Sequence, residues 1–113
     1  DVAHVERAIA TMQGIYVAPV INDYIVRLVG STRSNPELRL GASPRACVHL
    51  MRAARVEAAL QGRDYVIPED VATLAVPVLA HRVLLTVDAQ VARQSNETVI
   101  EHIVAATQPP RRG

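Results

Sequence analysis

Lysine is missing from this 113-residue chain, and all twelve of its basic side chains are arginines. That absence excludes a phosphate-loop lysine, a Schiff-base lysine and a lysine general base within the chain. Phenylalanine and tryptophan are missing too. With only three tyrosines in a chain that is 50% hydrophobic, the core has to be built from aliphatic side chains, and Ala, Val and Leu suit helices packed closely side by side. The single cysteine, Cys47, excludes an internal disulfide and fits a reducing cytoplasm. No window approaches the roughly 20 apolar residues of a membrane span, and no signal-peptide pattern opens the sequence. An excess of either charge is lacking as well. The net charge is +1 with acidic and basic residues interspersed, which leaves no electrostatic footprint for nucleic acid or a membrane surface.

What is present is enough residues for one domain with a real core, and too few for two comfortable ones. The chain opens at Asp1 without a methionine, in a segment of helical spacing, and reads as a piece of a longer protein. Val2, Val5, Ile9 and Met12 recur at helical intervals up to Gly14. Ile15-Tyr16-Val17 then reads as a brief extended segment. Pro19 starts a helix with Val20, Ile21, Tyr24, Ile25 and Leu28 on one face and Asp23 and Arg27 on the other, its end loosened by Gly30 and Ser31. Residues 33–42, with Asn35-Pro36 and Gly41, read as a loop.

The next helix is expected from about Ser43 to Gln61, closed by Gly62 as a left-handed cap. Its inner face is Cys47, Leu50, Met51, Ala54 and Ala58, with Arg52, Arg55 and Glu57 outward. Tyr65-Val66-Ile67 is a second extended piece, able to pair with residues 15–17. Pro68, Glu69 and Asp70 suit the first turn of a third main helix whose inner face is Val71, Leu74, Ala75, Val78 and Leu79, with Pro77 kinking or ending it. Val83, Leu84, Leu85 and Val87 form a strand-like run, and residues 88–97 a polar connection. Thr98 with Glu101 reads as a capping box for a last helix with Val99, Ile103 and Val104 inward. Pro109-Pro110 stops it, and the Arg111-Arg112-Gly113 end is expected to fray. Tyr16, Tyr24 and Tyr65 read as core-rim residues with their hydroxyls at the surface. The fold class is therefore all-α, a small helical bundle with at most two or three very short strands.

Chemistry concentrates at Gly41-Ala42-Ser43-Pro44-Arg45-Ala46. Ser43 is a good N-cap and Pro44 a good first helical residue, so Arg45 falls in a first helical turn. There the helix macrodipole opposes a cation, while free backbone N–H groups and a guanidinium together attract an anion, above all a phosphate. The plain alternative is a surface arginine that follows a good cap.

Together with residues 62–71 (Gly-Arg-Asp-Tyr-Val-Ile-Pro-Glu-Asp-Val), residues 78–82 (Val-Leu-Ala-His-Arg) and the preceding Thr32-Arg33, this element resembles the C-terminal lid of MoxR-family AAA+ ATPases. The resemblance covers roughly residues 15–107, with 1–14 as an N-terminal helix or linker from a missing ATPase core and 108–113 as the frayed end. It implies that Arg45 is the sensor 2 residue, reaching with Ser43 and Pro44 toward the phosphates of a nucleotide held by a separate P-loop domain. It also implies ATP and Mg²⁺ in the parent protein, a ring oligomer, commonly a hexamer, and client proteins, often with von Willebrand A-type domains. The implied place of work is the cytoplasm. The chain carries no GxxxxGK[ST] loop and is not expected to hydrolyse ATP on its own.

Arg33 lies near a helix C-terminus, where a cation is favoured by the dipole, so a structural use serves as well as a functional one; His81-Arg82 has the same explanation. Glu69-Asp70 reads as first-turn dipole stabilisation and not as a Walker B pair, because Pro68 and not an apolar strand precedes it. The four histidines, His4, His49, His81 and His102, are too scattered for a metal site, and Cys47 reads as a packed thiol. The competing function from another class is an arginine-rich helical module that docks an acidic protein partner with no nucleotide involved.

Overall fold

Five α-helices and a two-stranded antiparallel sheet organise the described residues, 2–3 and 14–111, of this computed structural model. In chain order they are α1 (Pro19–Ser34), β1 (Leu38–Leu40), α2 (Arg45–Leu60), α3 (Pro68–Leu79), a 3-10 turn (Ala80–Arg82), β2 (Leu84–Leu85), α4 (Val87–Val91) and α5 (Asn96–Ala106). The expected all-α bundle with very short strands is what forms. The N-terminal helix read from Val2, Val5, Ile9 and Met12 lies outside the described residues except for Val2 and Ala3, which are helical and exposed.

The pairing of the two extended pieces also forms: Tyr16 and Tyr65 make an isolated parallel bridge. Tyr16 N donates to the Asp64 carbonyl at 2.8 Å, and Val66 N donates to the Tyr16 carbonyl at 2.9 Å. Pro19 stands in the first turn of α1, where its fixed φ suits a helix and its missing N–H costs nothing. The α2 helix closes in a Schellman motif, with Gly62 at φ 77 and Arg63 N donating back to the Ala58 carbonyl at 2.9 Å. Small residues at Ala46, Ala54 and Ala58, all fully buried, let α2 lie close against Val71, Ala75 and Leu79 of α3. Tyr24, Ile25 and Leu28 of α1 and Val99 and Ile100 of α5 close the core.

Several local expectations give way. The α1 helix runs through Gly30 and Ser31 to Ser34, because Leu28, Val29 and Thr32 are buried along its last turns and tertiary packing outweighs the propensity of one glycine. Part of the expected loop is β1, with Leu38 opposite Leu85 and Leu40 opposite Leu84. The short helix α4 takes Val87 out of the expected strand-like run and fills the first part of the expected polar connection, because Thr86 caps it by accepting from Ala89 N at 3.1 Å. Ser95, not Thr98, caps α5: its hydroxyl accepts from Thr98 N at 3.0 Å, which makes Thr98 the cap's partner. Val20 is exposed, Arg55 and Glu57 are half-buried, and Tyr24 is fully buried with the Arg27 guanidinium 5.5 Å from its ring centroid. That burial pushes the Tyr24 hydroxyl above its usual pKa. No helix among the described residues is long and apolar enough to cross a membrane.

Candidate functional site

Arg45 is the first residue of α2 and is exposed. Pro44 stands before it with helical dihedrals, no side-chain cap hydrogen bond is made there, and no acidic residue occupies the first turn. Ser43 and Pro44 are exposed, and the Ser43 carbonyl accepts from Ala46 N at 2.9 Å. The expected Ser43 cap does not form: Pro44 stands at the N-cap position, one residue later than expected, and the Ser43 side chain makes no capping hydrogen bond. Among the described residues Arg45 has no ion-pair partner, in contrast to Arg27 with Asp23 and Arg63 with Asp70.

Beside this helix start lies an open cleft of about 660 Å³ lined by Arg33, Arg39, Gly41, Ser43, His81 and Arg82, among others. Ser43 lines it, while Pro44 and Arg45 do not. Sequence reasoning weighs Arg33, His81 and Arg82 one at a time, each excused by the end of its own helix, and overlooks Arg39. The structure gathers all four. Only the alternation of Leu38-Arg39-Leu40 in a segment read as loop carries a signal for Arg39.

The walls of the cleft are held by buried hydrogen bonds. Thr32, fully buried, donates its hydroxyl proton to the Val29 carbonyl at 2.6 Å and accepts from Ala42 N at 2.8 Å. Arg33 Nε donates to the Ala42 carbonyl at 3.1 Å. Across the cleft, Asn96 Nδ2 donates to the carbonyls of Ala80 at 2.7 Å and Val83 at 3.2 Å, fixing the turn that carries His81 and Arg82. Gly41 makes the approach possible: a Cβ there would stand 2.6 Å from the Thr32 carbonyl carbon and 2.7 Å from Arg33 Cα. Gly41→Ala is accordingly expected to lift the loop off α1 and strand the Thr32 and Ala42 polar groups, costing about 1–3 kcal/mol. Thermal unfolding of the variant checks this, and a melting temperature equal to the parent's would show that the loop yields freely.

Asp70 does more than complement a helix dipole. Its carboxylate is buried and accepts two 2.7 Å hydrogen bonds from Arg63 Nη1 and Nη2, while Oδ2 also accepts from Ile67 N at 2.9 Å. This buried pair joins the turn after α2 to the first turn of α3. Burial raises the pKa of the half-buried Cys47 thiol, with Arg33 offsetting part of the rise, which suits a packed, protonated side chain. Among the described residues no group of three or more His, Cys, Asp or Glu could hold a metal ion.

The described residues thus form a small helical domain in which an exposed arginine, without an ion-pair partner among them, starts a helix beside a basic cleft. Comparison with known proteins places the domain in a family. Residues 30–103 match the family described as AAA lid domain. The chain is 39% identical over 105 residues to the chaperone MoxR1 of Mycobacterium tuberculosis, covering 85% of this chain and 28% of that protein. It is 38% identical over 99 residues to the uncharacterized protein YeaC of Bacillus subtilis, covering 88% of this chain and 31% of that one. A crystal structure from Cytophaga hutchinsonii, provisionally assigned as an ATPase, superposes with a TM-score of 0.84 at 29% identity over 90% of this chain and 34% of its own. The chain belongs to the AAA lid domain family. It spans less than a third of the length of these two curated relatives.

Proposed function

We propose that this chain is the lid of a MoxR-like AAA+ ATPase and that Arg45 is its sensor 2 residue, placed to close over ATP held by a P-loop domain elsewhere in the parent protein. The observation that carries the reading is an exposed arginine in the first turn of α2, without an ion-pair partner among the described residues, in a domain similar to MoxR proteins. The neighbouring residues fit a nucleotide's phosphates: guanidinium groups of Arg33, Arg39 and Arg82 line the adjoining cleft. They do not fit Mg²⁺, for which this chain offers no carboxylate set among its described residues, so the ion falls to the P-loop domain. When bound, ATP supplies the phosphate charge that Arg45 answers. Arg45 favours the closed lid, and loss of its contact frees the lid to turn, which is how this domain couples turnover to remodelling of partner proteins. The likeness to MoxR proteins supports a ring of subunits, commonly six, and clients with von Willebrand A-type domains. The cytoplasm is the place of work, in keeping with one cysteine that has no disulfide partner in the chain.

One charge-assisted hydrogen bond contributes about 1.5–3 kcal/mol. Arg45→Ala in the full-length parent is therefore expected to lower ATP turnover about tenfold or more, while the melting temperature of the isolated chain stays nearly unchanged. Arg45→Lys restores only part, since an ammonium lacks the planar fork. An unfolded Arg45→Ala chain combined with normal turnover of the full-length variant would make Arg45 structural and end the assignment.

A further inference from the structure

We propose that the cleft between the end of α1, β1 and the 3-10 turn is itself a binding site for a multiply charged anion of the phosphate class, separate from Arg45. Arg33, Arg39, His81 and Arg82 come from three different elements and share one cavity. Its lining contains no Asp or Glu, and among the described residues none of Arg39, His81 and Arg82 has an ion-pair partner. The arginines' like charges repel; the side chains are exposed, while the backbone that brings them together is held by the Thr32–Ala42 and Arg33–Ala42 hydrogen bonds on one side and the Asn96 amide on the other. Arg33 spends its Nε on the Ala42 carbonyl, so its orientation is fixed through one nitrogen of the fork. An anion that answers the repulsion has to carry several charges within one small volume.

A chain of linked phosphates does so, with charge on every phosphorus and oxygens that match forked guanidinium donors. An acidic peptide is the poorer fit. In an extended segment, carboxylates on the same face are about 7 Å apart, because side chains alternate at about 3.3 Å per residue. The cleft volume of about 660 Å³ lies within the range of small-ligand sites. Gly41 and Ser43 complete the lining. The sensor reading draws on the same cleft, but this site is tested at Arg39 and Arg82 and not at Arg45, so the failure of one is distinguishable from the failure of the other.

Calorimetric titration of the chain at low ionic strength with sodium tripolyphosphate, ATP and hexaglutamate tests the site. Tripolyphosphate is expected to bind with a dissociation constant on the order of 1 mM, as suits an open site. The double variant Arg39→Gln/Arg82→Gln is expected to weaken it about tenfold or more, and high salt to weaken it as well. Arg39 and Arg82 are exposed, so the variant is expected to keep the parent's helical circular dichroism. Equal weakening of ATP in the double variant identifies a nucleotide's phosphate chain as an occupant. Binding of tripolyphosphate without ATP identifies a free oligophosphate, and both results support the site. Undiminished tripolyphosphate binding in the double variant overturns it; if Arg45→Ala then abolishes binding, the anion sits at the helix start and the sensor reading survives. Tighter binding of hexaglutamate than of tripolyphosphate, or no binding of any of the three, also overturns it.

Discussion

Replacing Arg63 by methionine is expected to destabilise the domain by about 3–5 kcal/mol, the range for breaking a buried ion pair by removing one partner. The size follows from which partner stays behind. The Asp70 side chain is 3% exposed and Arg63 is 21% exposed, so the variant leaves a carboxylate in the interior with a single donor, Ile67 N. The reverse change, Asp70→Ala, leaves a guanidinium that reaches water along its own stem and still has the Tyr65 carbonyl at 3.2 Å. It is expected to cost less. The double variant Arg63→Met/Asp70→Leu removes both charges, and urea unfolding should find it more stable than Arg63→Met alone. If Arg63→Met is as stable as the parent, the pair is ornamental and the α2–α3 turn is held by the Schellman motif alone.

Leu50→Ala carries the second large effect, about 2–5 kcal/mol by the usual cost of deleting a buried leucine. Leu50 is fully buried near the middle of α2, and the alanines on either side of it along that face, Ala46 and Ala54, carry only a methyl group that cannot swing into a void. Leu74 has the same spacing signal in the sequence but is only half-buried and packs against the edge of the core. The two variants therefore separate burial from periodicity. Chemical denaturation should rank Leu50→Ala well below Leu74→Ala. Equal losses would mean that the edge of the core closes as tightly as its centre.

The helices were legible because they are long and amphipathic and their inner residues are aliphatic. That the residues around Tyr16 and Tyr65 could pair was legible because each is a short run rich in β-branched residues bounded by turn residues; that they pair in parallel was not. Short elements were not. The α4 helix and β1 owe their existence to single partners, a Thr86 hydroxyl and a facing pair of leucines; α4 is too short to show a period, and the three-residue alternation of β1 is too short to tell from a loop. Ser95 and Thr98 both fit a cap by residue type, and the structure uses Ser95, whose hydroxyl accepts from Thr98 N. The Arg63–Asp70 pair escaped notice because it spans a turn whose direction is set by Gly62, and spacing along a helix says nothing across such a turn. The cleft escaped for the same reason on a larger scale: the end of each of two helices supplied a sufficient local excuse for its cation, and the convergence of Arg33, Arg39 and Arg82 exists only in three dimensions.

The chain enters the described domain through Tyr16, whose two backbone hydrogen bonds grip the turn between α2 and α3 next to the Arg63–Asp70 pair. Mechanically this is a splice at the middle of the body and not at the free end of α1. The backbone just ahead of α1 is thereby tied to the turn between α2 and α3, the two most extensively packed helices, so one short joint links the first three helices of the described domain.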